Sequence, residues 1–112
     1  VLYGDSTTNT NRYPAWSPLN SDVAFSSNPS NDHEWNGTDG GALSQIFIVS
    51  TNNLSSVKLT TEGGEHPAWS PDGSKIIYCR FNPWVNPLTD SRNGRLWIMN
   101  SDGTNKQQIT FP

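Results

Sequence analysis

The hydrophobic pattern of the chain consists of short apolar runs separated by polar turns. Two near-continuous apolar runs, at 45–49 and 95–99, have the pattern of β-strands that are covered on both faces. A polar turn follows each run and leads into a shorter strand-like segment, at 57–60 and 107–110. The pattern predicts strands throughout, with almost no helical periodicity.

Two hairpins precede these runs, and the second repeats the first position for position. Residues 67–78 repeat residues 14–25. In the later copy, Asp72-Gly73 predicts a two-residue hairpin turn, because both central positions of such a turn favour a positive φ. The first two strands of each copy are therefore joined by a tight turn.

Asparagine replaces glycine at two turn positions of the first copy. Asn20 stands where Gly73 stands, and Asn53 stands where Gly103 stands. Because asparagine tolerates the left-handed conformation better than most residues, we expect a positive φ at all four positions.

Each copy thus predicts a four-stranded antiparallel meander, and repeats of this length with four short strands are typical of β-propeller blades. The predicted fold class is all-β. Residues 1–12 form a lead-in segment, 13–61 form blade 1 and 62–112 form blade 2.

The connections between the second and third strands are much longer than a hairpin needs. They run from about 27 to 44 and from about 82 to 94. In a four-stranded meander the connections after the second and fourth strands emerge on the same side, so residues 61–66 join both insertions on one rim. Long connections of this kind are usually functional or disordered.

Composition places the chain among small soluble domains that depend on aromatic packing. Only 32% of its 112 residues are hydrophobic, whereas five Trp, four Phe and three Tyr supply large buried areas. The net charge is -3 and no Lys/Arg cluster is present, so nucleic acid is not an expected partner. The single cysteine, Cys79, cannot form an intrachain disulfide. No run is long enough to insert in a membrane, and no signal segment opens the chain as given.

The repeat resembles the WD40-like repeat of TolB-type β-propellers. Residues 67–73, Pro-Ala-Trp-Ser-Pro-Asp-Gly, and residues 100–105, Asn-Ser-Asp-Gly-Thr-Asn, carry most of this resemblance. The first copy departs from the pattern at Leu19, Asn20 and Asn53. The resemblance implies that the Pro-Ala-Trp-Ser strand is innermost and lines a central channel. It also implies a ring of six or seven blades, protein–protein interaction and, by analogy, a periplasmic setting.

Two blades alone leave large apolar faces uncovered, so the chain is expected to find further blades. It is either a fragment of a longer protein or a unit that assembles with copies of itself. Three copies give six blades and four give eight, and the homotrimer is the favoured assembly.

The residue types on this rim predict a binding surface. Its flat apolar groups are Trp35 and Trp84, and its polar groups are His33, Glu34, Glu62, Glu65, His66, Asp90 and Arg92. The alternative is that the two tryptophans cover neighbouring blades or a subunit boundary. For His66, which stands where Tyr13 stands in the first copy, a structural role at the channel mouth is favoured over that of a catalytic base.

No metal site, cofactor or catalytic group is predicted. Residues 32–34, Asp-His-Glu, lack the fixed spacing of a metal motif, and residues 100–105 lack the closing glutamate of a calcium loop. Cys79 aligns with Ser26 and is expected to be a small, partly buried and unreactive residue. Motifs for nucleophilic or nucleotide-dependent catalysis are not found.

Three functional hypotheses follow. The first is a non-enzymatic binding module that holds a protein on the rim and the channel mouth. The second is a glycan or small-ligand binder with repeated rim sites. The third is a lyase-like enzyme that works at the channel mouth through Glu62, Glu65 and His66.

Overall fold

The computed structural model describes residues 10–28, 44–81 and 94–110. Within these ranges the chain forms eight strands in two four-stranded antiparallel sheets, each in sequential order, and no helix. Blade 1 consists of β1 (Thr10–Trp16), β2 (Asp22–Asn28), β3 (Gln45–Ser50) and β4 (Ser56–Lys58). Blade 2 consists of β5 (Glu65–Trp69), β6 (Lys75–Phe81), β7 (Gly94–Asn100) and β8 (Gln107–Gln108). The prediction of an all-β fold with two meanders is confirmed.

The strand bounds differ from the predicted ones at two kinds of position. β1 begins at Thr10, so the last three residues of the predicted lead-in pair with the end of β2. Both outermost strands are shorter than predicted, because β4 ends at Lys58 and β8 ends at Gln108. None of the described segments forms a helix of membrane-spanning length and hydropathy.

The first strand of each blade carries a bulge that the sequence pattern did not predict. The pairing register shifts between Arg12 and Ala15, and again at the equivalent place in β5. The bulged residues are Tyr13, with φ 58°, and His66, with φ 56°. A proline follows each of them and cannot donate to the ladder, which explains why the pairing breaks there.

The β5–β6 turn places its glycine as predicted, but it is longer than predicted. Gly73 has φ 76°, and its amide donates to the Ser70 carbonyl oxygen at 2.9 Å. Pro71 and Asp72 therefore occupy the central turn positions, and Asp72 does not have a positive φ. The expectation of two central residues with positive φ was wrong.

The two asparagines do not take over the conformation of the glycines that they replace. Neither Asn20 nor Asn53 has a positive φ, so both expectations were wrong, whereas Gly103 has φ 91° as predicted. Asn20 Oδ1 accepts the Asp22 amide at 2.9 Å, and Asn53 Oδ1 accepts the Ser55 amide at 3.0 Å. Asparagine thus stabilises these turns through its side chain rather than through a left-handed backbone.

The main core lies between the blades. Blade 1 contributes Ile46 and Leu59, and blade 2 contributes Ile76, Tyr78 and Met99. All five side chains are buried, so the contact between the two sheets contributes hydrophobic stabilisation.

Hydrogen bonds between described residues join the blades and fix their relative position. Trp69 Nε1 donates to the Ala15 carbonyl oxygen at 2.9 Å, and the His66 amide donates to Ser26 Oγ at 3.1 Å. The linking segment adds two more bonds, from the Gly64 amide to the Ser44 carbonyl oxygen at 2.8 Å and from the Gly63 amide to Gln45 Oε1 at 2.9 Å.

We predict that Asp72→Asn reduces the loss of stability in acid. Asp72 Oδ1 accepts three hydrogen bonds from Ser70 and Ser74, at 2.7 to 3.0 Å, and these lower the pKa of Asp72 from 3.8 to about 2. Because the folded pKa is depressed, this stabilisation is present above the unfolded pKa and is lost as pH falls from near 4 toward 2. Asp102, whose pKa is lowered by the same kind of contact with Thr104, still titrates in the variant.

The measurement is the urea midpoint between pH 5 and pH 2, for wild type and for Asp72→Asn. We expect a shallower decline in the variant, since asparagine does not titrate. Identical slopes in the two proteins would show that the turn carboxylate does not contribute to acid sensitivity.

Candidate functional site

The ends of four central strands and the β4–β5 link meet on one rim. Asn28 and Gln45 bound the first insertion, and Phe81 and Gly94 bound the second. The link 59–64 runs beside them, because its Gly64 amide bonds to Ser44. We call this edge the insertion rim. It is the edge that the sequence predicts for the binding surface.

Arg80 is the central charged group of the described part of the insertion rim. Its guanidinium carbon lies 4.5 Å from the centroid of the Trp97 ring, and its Nη2 lies 3.4 Å from Glu62 Oε1. The Arg80 side chain is 25% exposed, whereas Glu62 is 72% exposed. The stacked indole therefore holds the cation in place, and the exposed carboxylate contributes little to stability.

The link that carries Glu62 is fixed by a buried polar network. Thr60 Oγ1 donates to Gln45 Oε1 at 2.6 Å and accepts the Ile46 amide at 2.9 Å. The Gly63 amide donates to the same Gln45 oxygen at 2.9 Å. Because the Thr60 hydroxyl and the Gln45 side-chain oxygen are both hydrogen-bonded, this link gives the rim a defined backbone on which to present its charge.

Tyr13 and His66 form a second group, on the first strands of the two blades, β1 and β5. Their ring centroids are 3.8 Å apart with an interplanar angle of 32°. His66 Nδ1 lies 3.9 Å from Glu65 Oε2, and the Arg12 guanidinium carbon lies 5.8 Å from the Tyr13 ring centroid. The left-handed backbone of both bulges aims the rings at each other. Strained backbone of this kind is common where side chains must be presented in one direction.

Comparison with solved structures identifies the arrangement of the sheets. The chain is similar to a TolB protein from Agrobacterium tumefaciens, with a TM-score of 0.66 and 17% identity over 92% of this chain and 31% of that one. TolB from Acinetobacter baumannii gives a TM-score of 0.65 and 16% identity over 91% of this chain and 21% of that one. The chain has a TolB-like β-propeller fold.

The same fold relates these TolB-like blades to a propeller in a protease. The β-propeller domain of the Trilobed protease from Pyrococcus furiosus matches with a TM-score of 0.59 and 17% identity, over 93% of this chain and 28% of that one. The chain thus spans less than a third of the length of each of these proteins. No protein-family model and no curated protein matches the sequence. The predicted resemblance to TolB-type propellers is confirmed at the level of the fold.

The TolB-like blades bring together three of the predicted site residues. Glu62, Glu65 and His66 all lie in or beside the β4–β5 link, but they belong to two separate contacts, one with Arg80 and one with Tyr13. The other six predicted residues lie outside the described ranges, and their roles remain predictions: His33, Glu34, Trp35, Trp84, Asp90 and Arg92.

Sequence analysis missed Arg80, Trp97 and Tyr13 as candidate site residues. Arg80 directly precedes the second insertion, and a lone arginine at the end of an apolar strand could have drawn attention to it. Tyr13 was recognised only as the counterpart of His66. Its contact depends on how two blades pack, which spacing along the chain does not encode.

The described part of the TolB-like blades shows neither a reactive cysteine nor a metal site. Burial, with a smaller effect of Glu65, raises the pKa of the Cys79 thiol and so disfavours the reactive thiolate. No group of three or more potential metal-ligating side chains forms among the described residues. Asp102 Oδ1 accepts the Thr104 amide at 3.0 Å and the Thr104 hydroxyl at 2.6 Å, which is the hairpin turn that the sequence predicts.

Proposed function

We propose that the chain is a non-enzymatic binding module that holds a protein partner on the insertion rim and the channel mouth. The observation that carries this proposal is the Glu62–Arg80–Trp97 group. A partly exposed arginine is held against an indole face, near the end of the strand that leads into the second insertion. Arginine and aromatic side chains are the groups most enriched among the residues that dominate protein–protein binding energy.

The geometry of Arg80 fits recognition of a carboxylate or of a backbone carbonyl group. A guanidinium offers five donors in a fixed plane, and stacking on Trp97 reduces the side-chain entropy that binding would otherwise cost. The ion pair with Glu62 is open to solvent, so an incoming acidic group can replace it at little cost. Acidic residues are therefore the expected partner groups at this point.

The other two hypotheses have less support. The glycan interpretation depends on Trp35 and Trp84, which lie outside the described residues. The lyase-like interpretation needs Glu62, Glu65 and His66 to act on one substrate, yet Glu62 contacts Arg80 whereas Glu65 lies beside His66. Neither hypothesis gains a specific observation from the described part of the chain.

The proposal is tested with a phage-displayed library of random peptides, selected on the immobilised wild-type chain. We expect enrichment of acidic peptides, and a loss of affinity of about tenfold or more for the selected peptides in Arg80→Ala and Trp97→Ala. Arg80→Lys should recover only part of this loss, because lysine keeps the charge but lacks the planar fork.

Lys75→Ala is the matched control, since Lys75 lies on the same strand at the end away from the insertions. It should leave peptide affinity unchanged. Peptides that bind Arg80→Ala as tightly as wild type would show that this group is not the site. Sugar binding at millimolar concentration that is lost in Trp84→Ala would favour the glycan interpretation instead.

Resemblance to TolB-type proteins also leads us to propose a bacterial periplasmic setting. This rests on analogy alone, because a shared fold does not determine a compartment. Fractionation of the source cells tests it, and recovery in the cytoplasmic fraction would contradict it.

A further inference from the structure

Two arginines lie directly opposite each other where β6 and β7 reach the insertion rim. Arg80 and Arg95 are cross-strand partners in the antiparallel ladder, and both are half-buried. Residues paired in this way project their side chains from the same face of the sheet, with Cβ atoms about 5 Å apart. Like charges at such positions are unfavourable for the sheet itself, so the pair indicates a role in holding acidic groups.

The repeat itself does not require this pair of arginines. Because the copies are 53 residues apart in the first two strands and 50 in the last two, the counterparts of Arg80 and Arg95 are Ser27 and Gln45. Ser27 and Gln45 are also cross-strand partners, but they are uncharged and buried. Blade 1 thus fills this position with a structural pair, whereas blade 2 places two cations there.

The side chains of the two arginines diverge along the sheet. Arg80 lies over the ring of Trp97, which is two residues beyond Arg95 on β7. Arg95 Nη1 instead donates to the Gly94 carbonyl oxygen at 3.0 Å, on the side of the second insertion. A guanidinium has five N–H donors, and this bond uses one of them. The two cations are therefore held at separate points, an arrangement that suits two acidic groups better than one small anion.

The arginine pair lies on the face of blade 2 that meets blade 1. Side chains two residues apart on a strand share a face, so Arg80 lies on the same face as Tyr78, which is buried between the blades. Burial raises the pKa of Tyr78, and smaller opposing effects of Arg80 and Glu62 place both charges close to it. Glu62 Oε1, 3.4 Å from Arg80 Nη2, already shows how a carboxylate approaches this site.

We propose that Arg80 and Arg95 together bind two acidic side chains, two residues apart, on one extended segment of a protein partner. This inference rests on the binding function proposed above and specifies the sequence that the partner presents. The first carboxylate takes the place of Glu62 on Arg80, and the second binds Arg95.

The spacing of two residues follows from the geometry of an extended segment. Side chains two residues apart lie on one side of such a segment, about 6.5 Å from each other. This separation is within reach of two long side chains that start about 5 Å apart and diverge. Each guanidinium also presents a planar fork that matches the two oxygens of one carboxylate, so two carboxylates satisfy the pair.

Sequences of the peptides selected from the random phage library on the wild-type chain test the spacing. We expect acidic residues two positions apart to be enriched over every other spacing, and this preference to disappear in selections on Arg95→Gln. Lys106→Gln is the matched control, because it removes one positive charge from the β7–β8 turn, at the end of blade 2 away from the insertion rim. Selections on this control should keep the preference.

Affinities of one selected peptide and of its two single-acid variants, each with one acid replaced by its amide, assign the contacts. For the peptide with both acids, Arg95→Gln should weaken binding about tenfold, the usual effect of losing one hydrogen bond to a charged group. For one single-acid variant, Arg95→Gln should change nothing, whereas Arg80→Gln still weakens binding. The other single-acid variant should show the reverse. Unchanged affinity for the first variant also shows that Arg95→Gln is folded.

The outcomes distinguish this inference from the binding function on which it rests. Selection without any enrichment of acidic peptides would contradict the binding function itself. Acidic enrichment without a preferred spacing, or with a preference that Arg95→Gln leaves unchanged, would overturn the paired site and leave the contact at Arg80. Tighter binding of a peptide with one phosphoserine in place of the two acids would also overturn it, because a single dianion would then span both guanidinium groups.

Discussion

Tyr78→Ala is expected to lower the free energy of unfolding by about 3–5 kcal/mol, the range for removing a large buried aromatic side chain. Tyr78 is fully buried and lies in the cluster between the blades, against Ile46 and Leu59 of blade 1. Its loss therefore weakens two effects together: packing within blade 2 and the contact that holds the blades against each other. Since a chain of 112 residues has about 5–15 kcal/mol of stability in total, this variant is expected to be near the limit of folding.

The measurement is urea denaturation at one fixed protein concentration, because self-association would make stability depend on concentration. Tyr78→Phe keeps the ring and should lie within about 1.5 kcal/mol of wild type, the net value of one hydrogen bond. Ile77→Ala is the second control, since Ile77 is adjacent in β6 but on the other, exposed face. Equal losses at Tyr78 and Ile77 would mean that the core is not between the blades.

The repeat in the sequence was sufficient to predict the fold. Apolar runs at 45–49 and 95–99 became the third strands of two sheets with the same topology, and the hairpin copies became the first two strands. Strand order could be predicted because consecutive strands usually lie beside each other in a sheet, and this holds here even across the long connections β2–β3 and β6–β7. The bulges at Tyr13 and His66 were not predicted, because the proline after each of them indicates that a ladder bond is missing but not whether the strand bulges or ends there.

Turn chemistry was predictable for glycine but not for asparagine. Gly73 and Gly103 have a positive φ, as expected from a residue without a Cβ. Asn20 can satisfy a turn either with its backbone or with its side chain, and here it uses the side chain. Because asparagine can stabilise a turn in two ways, its backbone conformation cannot be predicted from its identity alone.

For the candidate site, the sequence predicted which residues share an edge but not which side chains contact each other. The sequence placed Glu62, Glu65 and His66 on one rim, because meander topology fixes which connections share an edge. It did not predict that Arg80 contacts both Glu62 and Trp97, or that His66 contacts Tyr13 of the other blade. Those contacts arise from blade packing and from a bulge, neither of which has a signature at fixed spacing.

Gly64→Ala is expected to lower the free energy of unfolding by about 1–3 kcal/mol, the usual cost of forcing an extra methyl group into a packed interior. A Cβ at this position would lie 2.6 Å from Ile46 Cγ1 and 3.2 Å from Tyr78 Cδ2. Both neighbours are fully buried between the blades, so neither can move aside without opening the core. The backbone at Gly64 cannot shift freely either, because the Gly64 amide donates a hydrogen bond to the Ser44 carbonyl oxygen.

The double variant Gly64→Ala, Ile46→Ala tests whether the collision with Ile46 is the cause. Ile46→Ala alone should cost about 2–5 kcal/mol, because it leaves a cavity in the core. In the double variant the new methyl group occupies part of that cavity, and the atom with which it collided is gone. We therefore expect the double variant to lose less stability than the sum of the two single losses. The difference, which measures the coupling between these two residues, should be about 1 kcal/mol or more. Additive losses would show that the collision with Ile46 is not the cause of the lost stability.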